Sequence, residues 1–172
     1  MSPVVVPDRE AMHRLGEAVA ALLRPGDLVV VSGGLGAGKT TLTQGIGRGL
    51  RVRGEVTSPT FVIARVHPST VGGPALVHVD AYRLSSLVEV EDLDLDASLE
   101  RSVTVVEWGE GKVEGLAEDR LLIEVERPVG GAGATGVADD DTAEPRVVRL
   151  HGVGPRWAGA DVEAALAAAV AR

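Results

Sequence analysis

The chain predicts an α/β fold built on a mixed, largely parallel central sheet flanked by helices. Three observations predict it. Short apolar segments recur at 28–31, which is fully apolar, and at 75–79 and 103–106, as strands buried in a parallel sheet require. Segments with apolar residues at helical spacing alternate with them. The first apolar segment also runs directly into a glycine-rich junction, 32–41, from which a helix leaves.

Taken in order, Asp8 is a helix N-cap, and Met12, Leu15, Val19, Leu22 and Leu23 mark the buried face of the helix it starts. Pro25-Gly26 ends that helix. After the strand at 28–31 and the junction, Leu42, Ile46 and Leu50 mark a second helix. It carries Gly45, Gly47 and Gly49, each costing about 1 kcal/mol relative to Ala. Close packing against the sheet is the expected reason for them. A strand is expected over 61–66, a turn at Gly72-Gly73-Pro74, and apolar strands at 75–79 and 103–106, ending in Asp80 and Glu107. Between those strands, 85–100 is polar with weak helical signals. The alternation over 121–126 predicts a half-exposed strand, with 147–150 as its hairpin partner. The intervening 129–145 is rich in Gly and Ala, then acidic at Asp139-Asp140-Asp141 and Glu144, and reads as a flexible hairpin loop. The chain closes on an Ala-rich helix over 161–172, with acids first and Arg last, as the helix dipole favours.

At 172 residues with no internal repeat, the chain reads as a single domain, 1–172. There are no cysteines, which excludes disulfides and thiolate metal sites. The N-terminus lacks the basic and apolar regions of a signal peptide, and no apolar run reaches the roughly 18 residues of a membrane span. The expected location is therefore cytoplasmic. A net charge of −8 repels nucleic acid, and aromatic content of 2% leaves little for base stacking. Any role involving RNA would rely on a partner for most of the contact.

Gly33-x-x-x-x-Gly38-Lys39-Thr40 fits the phosphate-binding P-loop pattern in full. Glycines let backbone N–H groups turn inward around phosphate oxygens, and the following helix presents the positive end of its dipole to the same anion. Lysines stand only at Lys39 and Lys112, and one occupies the required position, where it reaches the β- and γ-phosphates. The Thr40 hydroxyl is a hard oxygen ligand suited to Mg²⁺. The motif extends the fold expectation to a P-loop NTPase-like domain. Such a site needs an acid on a neighbouring strand, and both Asp80 and Glu107 end apolar strands. Parallel strands put their C-terminal ends on the ligand side, so both carboxylates can face a γ-phosphate. The chain contains no asparagine, which excludes the Asn-Lys-x-Asp guanine-reading motif and favours ATP over GTP. His13, His67, His78 and His151 have no metal-ligand spacing and are read as surface or strand residues.

Four motifs in order resemble the TsaE family, ATPases needed to make threonylcarbamoyladenosine in bacterial tRNA. They are Leu35-Gly36-Ala37-Gly38-Lys39-Thr40-Thr41, Ser58-Pro59-Thr60-Phe61, His78-x-Asp80-x-Tyr82-Arg83 and Val106-Glu107-Trp108. The resemblance covers roughly 7–126. It implies slow ATP hydrolysis that matters within a complex. The implied partners are the tRNA-threonylcarbamoyl transferase subunit and its non-catalytic paralogue, whose assembly ATP turnover resets. It further implies that Thr40 and Glu107 hold Mg²⁺, that Lys39 and the loop from Leu35 to Thr41 hold the phosphates, that Asp80 acts next to the metal or orients water, and that Thr60 senses the γ-phosphate. The start of the first helix, Asp8 or Arg9, lies near the base in this family. Gly34 departs from an acid that the family usually has, and Gly109 from a frequent Pro; the loop at 129–145 is additional.

Two other functions fit the same P-loop. A small-metabolite kinase would carry an Arg-rich lid, but the late region here is acidic and glycine-rich. An interaction module without turnover would use Asp80 and Glu107 only to stabilise bound nucleotide.

Overall fold

Seven strands form one sheet among the residues described by the structure, a computed structural model covering 3–59, 63–82, 100–113, 115–127, 144–158 and 162. They are β1 (Val4–Val6), β2 (Leu28–Ser32), β3 (Ala64–His67), β4 (Ala75–Asp80), β5 (Ser102–Glu107), β6 (Arg120–Glu126) and β7 (Arg146–Val153). Their order is β1-β7-β6-β2-β5-β4-β3. The central strands β6, β2, β5 and β4 run parallel, while β3, β7 and β1 add antiparallel flanks. The α/β class and the mixed sheet are thus as the sequence predicts, with the parallel part at the centre. β2 and β5 are buried along almost their whole length, which explains why their sequences are mostly apolar. β6 alternates instead. Leu121, Ile123 and Val125 point into the core, while Glu124 and Glu126 face out and meet Arg149 of β7.

Helix α1 (Arg9–Leu22) begins where Asp8 accepts a hydrogen bond from the Ala11 amide at 2.7 Å. With α2 (Lys39–Gly49) it covers one face of the sheet. Met12, Leu15 and Val19 of α1, Leu42 and Ile46 of α2, and the inward side chains of β2, β5 and β6 form a single core there. On the other face Leu28, Val30, Val77, Val79 and Val106 pack with Val113, Leu116 and Ala117 from the segment after β5.

The α2 glycines serve a different contact from the one expected. Gly45 and Gly49 face α1 rather than the sheet: a Cβ at Gly45 would strike the His13 carbonyl, and one at Gly49 would lie 2.5 Å from Ala20 Cβ. Gly16 answers from α1, where a Cβ would lie 2.5 Å from the Leu42 carbonyl oxygen. The two helices touch backbone to backbone, which any side chain at these positions would prevent. Only Gly47 points toward a strand residue, Leu76, and it also meets Val52 and Val56.

Two further differences have local causes. Of the strand expected over 61–66, β3 supplies Ala64–Val66, Ile63 leaves the extended backbone with a φ of 70°, and 61–62 lie outside the described residues. β1 was not foreseen: three residues are too short for a period, and its pairing partner β7 lies at the far end of the chain. The weakly helical stretch at 85–100 lies, but for Glu100, outside the described residues. The loop at 129–145 does so except for Glu144 and Pro145, and the terminal helix at 161–172 except for Val162. Among the described residues no helix is long and apolar enough to cross a membrane.

Candidate functional site

The site lies at the C-terminal ends of β2, β5 and β4. Ser32 closes β2, and the loop from Gly33 to Gly38 carries the chain into α2. Two glycines are indispensable here. Gly33 has a φ of 143° and packs so closely on β6 that a Cβ would strike the Val125 carbonyl. Gly38, the N-cap of α2, has a φ of 107°, a left-handed conformation costly for any residue with a Cβ. It offers no side-chain cap, so the first amides of α2 stay available to an anion.

Lys39, the first residue of α2, is 5% exposed, and its Nζ donates to the Gly33 and Gly34 carbonyls at 2.9 and 2.8 Å. The same nitrogen lies 3.8 Å from the ring centroid of Trp108. Burial lowers the ammonium below its ordinary 10.5, with the Glu107 and Asp80 carboxylates pulling the other way.

The acids come from adjacent strands. Asp80 ends β4 and Glu107 ends β5, and parallel register sets them directly opposite one another. Glu107 is 2% exposed. Its Oε2 accepts from the Thr40 hydroxyl at 3.1 Å, and its Oε1 accepts from Thr43 at 3.2 Å and from His78 Nε2 at 2.8 Å. Asp80 accepts from the Ser58 hydroxyl at 3.0 Å and from the Tyr82 amide at 3.0 Å. Trp108 leaves β5 with a φ of 61°, a conformation costing of order 1–3 kcal/mol for a non-glycine residue. That turn swings its ring over Lys39 and edge-on to Tyr82, with centroids 5.1 Å apart. A cleft of about 450 Å³ opens among Lys39, Thr40, Ser58, Asp80, Glu107 and Trp108.

At the outer end of the P-loop a smaller hollow of about 40 Å³ is walled by Asp8, Arg9, Met12, Thr41, Glu144 and Arg146. Arg146, the first residue of β7, donates from Nε to the Ala37 carbonyl at 3.1 Å and so braces the loop from the sheet edge.

Chemically, the cleft joins an amide-lined anion seat, one buried ammonium and a set of hard oxygen ligands. Among the described residues no three His, Asp or Glu side chains converge as a self-sufficient metal site. Thr40 and Glu107 fit Mg²⁺, which takes one or two protein oxygens and completes its shell with phosphate and water.

Comparison with known proteins agrees with this architecture. The family model described as "Threonylcarbamoyl adenosine biosynthesis protein TsaE" matches residues 6–131. The chain is 64% identical over 152 residues to the tRNA threonylcarbamoyladenosine biosynthesis protein TsaE of Streptomyces coelicolor, covering 88% of this chain and 97% of that one. The chain belongs to the TsaE family. It is 52% identical to the TsaE protein of Mycobacterium tuberculosis H37Rv over 121 residues, 66% of this chain and 70% of the other. The crystal structure of Bacillus subtilis YdiB superposes with a TM-score of 0.68 at 27% identity, over 97% of this chain and 94% of that one. Membership of the TsaE family assigns the protein to threonylcarbamoyladenosine biosynthesis in tRNA.

Of the TsaE-like motif residues, the structure brings Lys39, Thr40, Asp80 and Glu107 together in the cleft. Gly36, Gly38 and Thr41 are shared by the cleft and the outer hollow; Leu35, 92% exposed, lines the cleft at the loop tip. Ala37 is almost wholly buried at the edge of the hollow, and Arg9 is exposed on its wall. Thr60, with Phe61 of the same motif, and Arg83 lie outside the described residues. The two departures from the TsaE pattern differ in kind. Gly34 has open space where a Cβ would point, so an acid there meets no steric bar. At Gly109 a Cβ would come within 2.8 Å of Val106 and 2.9 Å of Val113.

Sequence reading missed three contributors. Arg146 and Glu144 reach the hollow from beyond the loop at 129–145, and no local pattern links them to the P-loop. His78, which the sequence places in the His78-x-Asp80 motif but without a role, is fully buried against Glu107; its place two residues before Asp80, on the same strand face, is the signal.

Proposed function

We propose that the cleft binds ATP with Mg²⁺ and that the protein is a slow, partner-stimulated ATPase of the threonylcarbamoyladenosine machinery. The observation that carries this reading is the convergence of Lys39, Thr40, Asp80 and Glu107. They come from three separate segments and meet at one end of the parallel sheet, beside a loop whose glycine backbone suits phosphate. The loop amides and Lys39 hold the phosphates. Thr40 and Glu107 hold Mg²⁺, which when bound screens the phosphate charge. Asp80, kept by Ser58 and the Tyr82 amide, orients the attacking water, and Thr60 senses the γ-phosphate. Arg9 and the outer hollow lie toward the base.

The partners are the tRNA-threonylcarbamoyl transferase subunit and its non-catalytic paralogue. ATP turnover resets that assembly in the cytoplasm, and tRNA is met only indirectly, in keeping with the net charge of −8. The test is phosphate release from ATP with and without the transferase pair. Low release alone and a clear rise with partners is the expected result. Tight ATP binding with no release under either condition would reduce the protein to a binding module, and phosphate transfer to a metabolite would make it a kinase.

A further inference from the structure

His78 holds neither phosphate nor metal in the proposed cleft, yet it touches Glu107, the acid proposed to hold Mg²⁺. The ring is 0% exposed, and its Nε2 stands 2.8 Å from Glu107 Oε1. A carboxylate only accepts, so Nε2 carries the hydrogen and donates. The other ring nitrogen, Nδ1, is buried with no hydrogen-bond partner among the described residues. Among the described residues the ring thus directs its hydrogen bonding to Glu107, and a buried polar atom left unpaired costs free energy.

The two oxygens of Glu107 consequently have separate surroundings. Oε1 is held by His78 and, at 3.2 Å, by the Thr43 hydroxyl, which lies also 3.0 Å from the Lys39 carbonyl. Oε2 meets Thr40. A glutamate has three side-chain torsions to order, and a strand-borne imidazole is a short, stiff anchor for one end of its carboxylate.

We propose that His78 is a positioning residue for Glu107: by holding Oε1 it keeps Oε2 beside the Thr40 hydroxyl, where a divalent cation is to be bound. The proposal rests on the Mg²⁺ reading of the cleft. It confines His78 to the metal: nucleotide binding through the loop and Lys39 does not depend on it.

The test uses the full chain and a non-hydrolysable ATP analogue in calorimetry. The analogue is titrated first in chelator, and Mg²⁺ is then titrated into the complex. For His78→Leu, analogue affinity in chelator stays at the wild-type value while the Mg²⁺ affinity falls about tenfold or more, as loss of an outer-shell partner does. His78→Gln, whose amide nitrogen can donate to the same oxygen, recovers most of the loss. Equal behaviour of the Leu and Gln variants, or equal loss with and without Mg²⁺, overturns the proposal. Because a buried leucine can prevent folding, a second measurement uses the unaltered protein labelled with ¹⁵N-histidine. The His78 Nε2–H resonance is expected to move when Mg²⁺ joins the analogue complex, and no movement overturns the proposal. A wild-type chain that binds the analogue equally with and without Mg²⁺ removes the metal reading and this proposal together. A wild-type Mg²⁺ effect that survives intact in His78→Leu removes this proposal alone.

Discussion

The cleft and the hollow on either side of the P-loop are built by different means. At the inner end Lys39, Asp80 and Glu107 are each no more than 5% exposed, and the acids sit on neighbouring parallel strands whose register sets them face to face. Hydroxyls, an amide and an imidazole occupy their oxygens, so little remains to be ordered when a ligand arrives. At the outer end Asp8 and Arg9 at the start of α1 and Glu144 and Arg146 from the β7 edge surround a shallow hollow. There Glu144 is tied to Arg127 and Arg146 in partly exposed pairs of the kind that contribute little individually. The inner end is buried and closely hydrogen-bonded, and the outer end is a partly exposed wall. Substitutions should therefore act sharply on chemistry at one end and mildly on affinity at the other.

The largest effect is expected at Asp80. Asp80→Asn should cut ATP hydrolysis about 10²-fold or more while leaving ATP affinity nearly unchanged, a split read by single-turnover kinetics beside calorimetry. Equal loss in both would make Asp80 a structural cap. Next is Lys39→Ala, which removes a charge-assisted contact to phosphate and should weaken ATP binding about 10- to 100-fold. Unchanged affinity would remove the phosphate-site assignment. Arg146→Ala, at the outer end, should cost only a few-fold in affinity, and thermal unfolding should drop by no more than the roughly 1–3 kcal/mol of a charged hydrogen bond. A loss as large as that of Lys39→Ala would abolish the contrast between the two ends.

The smallest effect is a pH dependence. Burial depresses Lys39 from its ordinary 10.5, so the free protein loses that proton below 10.5. Affinity for ATP should then decline on an alkaline limb whose midpoint lies below 10.5. For folding the sign is opposite. In the window between the lowered value and 10.5 the unfolded chain binds more protons, so this group's contribution to stability rises with pH there. Binding and unfolding measured across the window, with Lys39→Met as the reference, should diverge in direction. A limb centred at or above 10.5 would mean that the ammonium is solvated like a surface lysine.

Some of this molecule is written in contiguous residues. The P-loop needs glycines at fixed offsets and one lysine. Of the central strands, β2 needs an apolar run because both its faces are buried, β4 and β5 are mostly apolar for the same reason, and α1 announces itself through Asp8 and its apolar spacing. Each depends on backbone geometry or solvent exclusion acting within a few residues, which is why the α/β class and the strand-end acids could be read directly. Other features depend on what is brought near from elsewhere. Gly45 and Gly49 could be seen, but not that they meet α1 rather than the sheet, because helix contact is set by how both helices dock. β1 exists through β7, Arg146 reaches the P-loop from far along the chain, and His78 acquires its role only when β4 pairs with β5. Local chemistry decides which backbone a segment prefers. Distances between side chains remote in sequence are decided by packing, and the pairing of His78 with Glu107 is one of those distances.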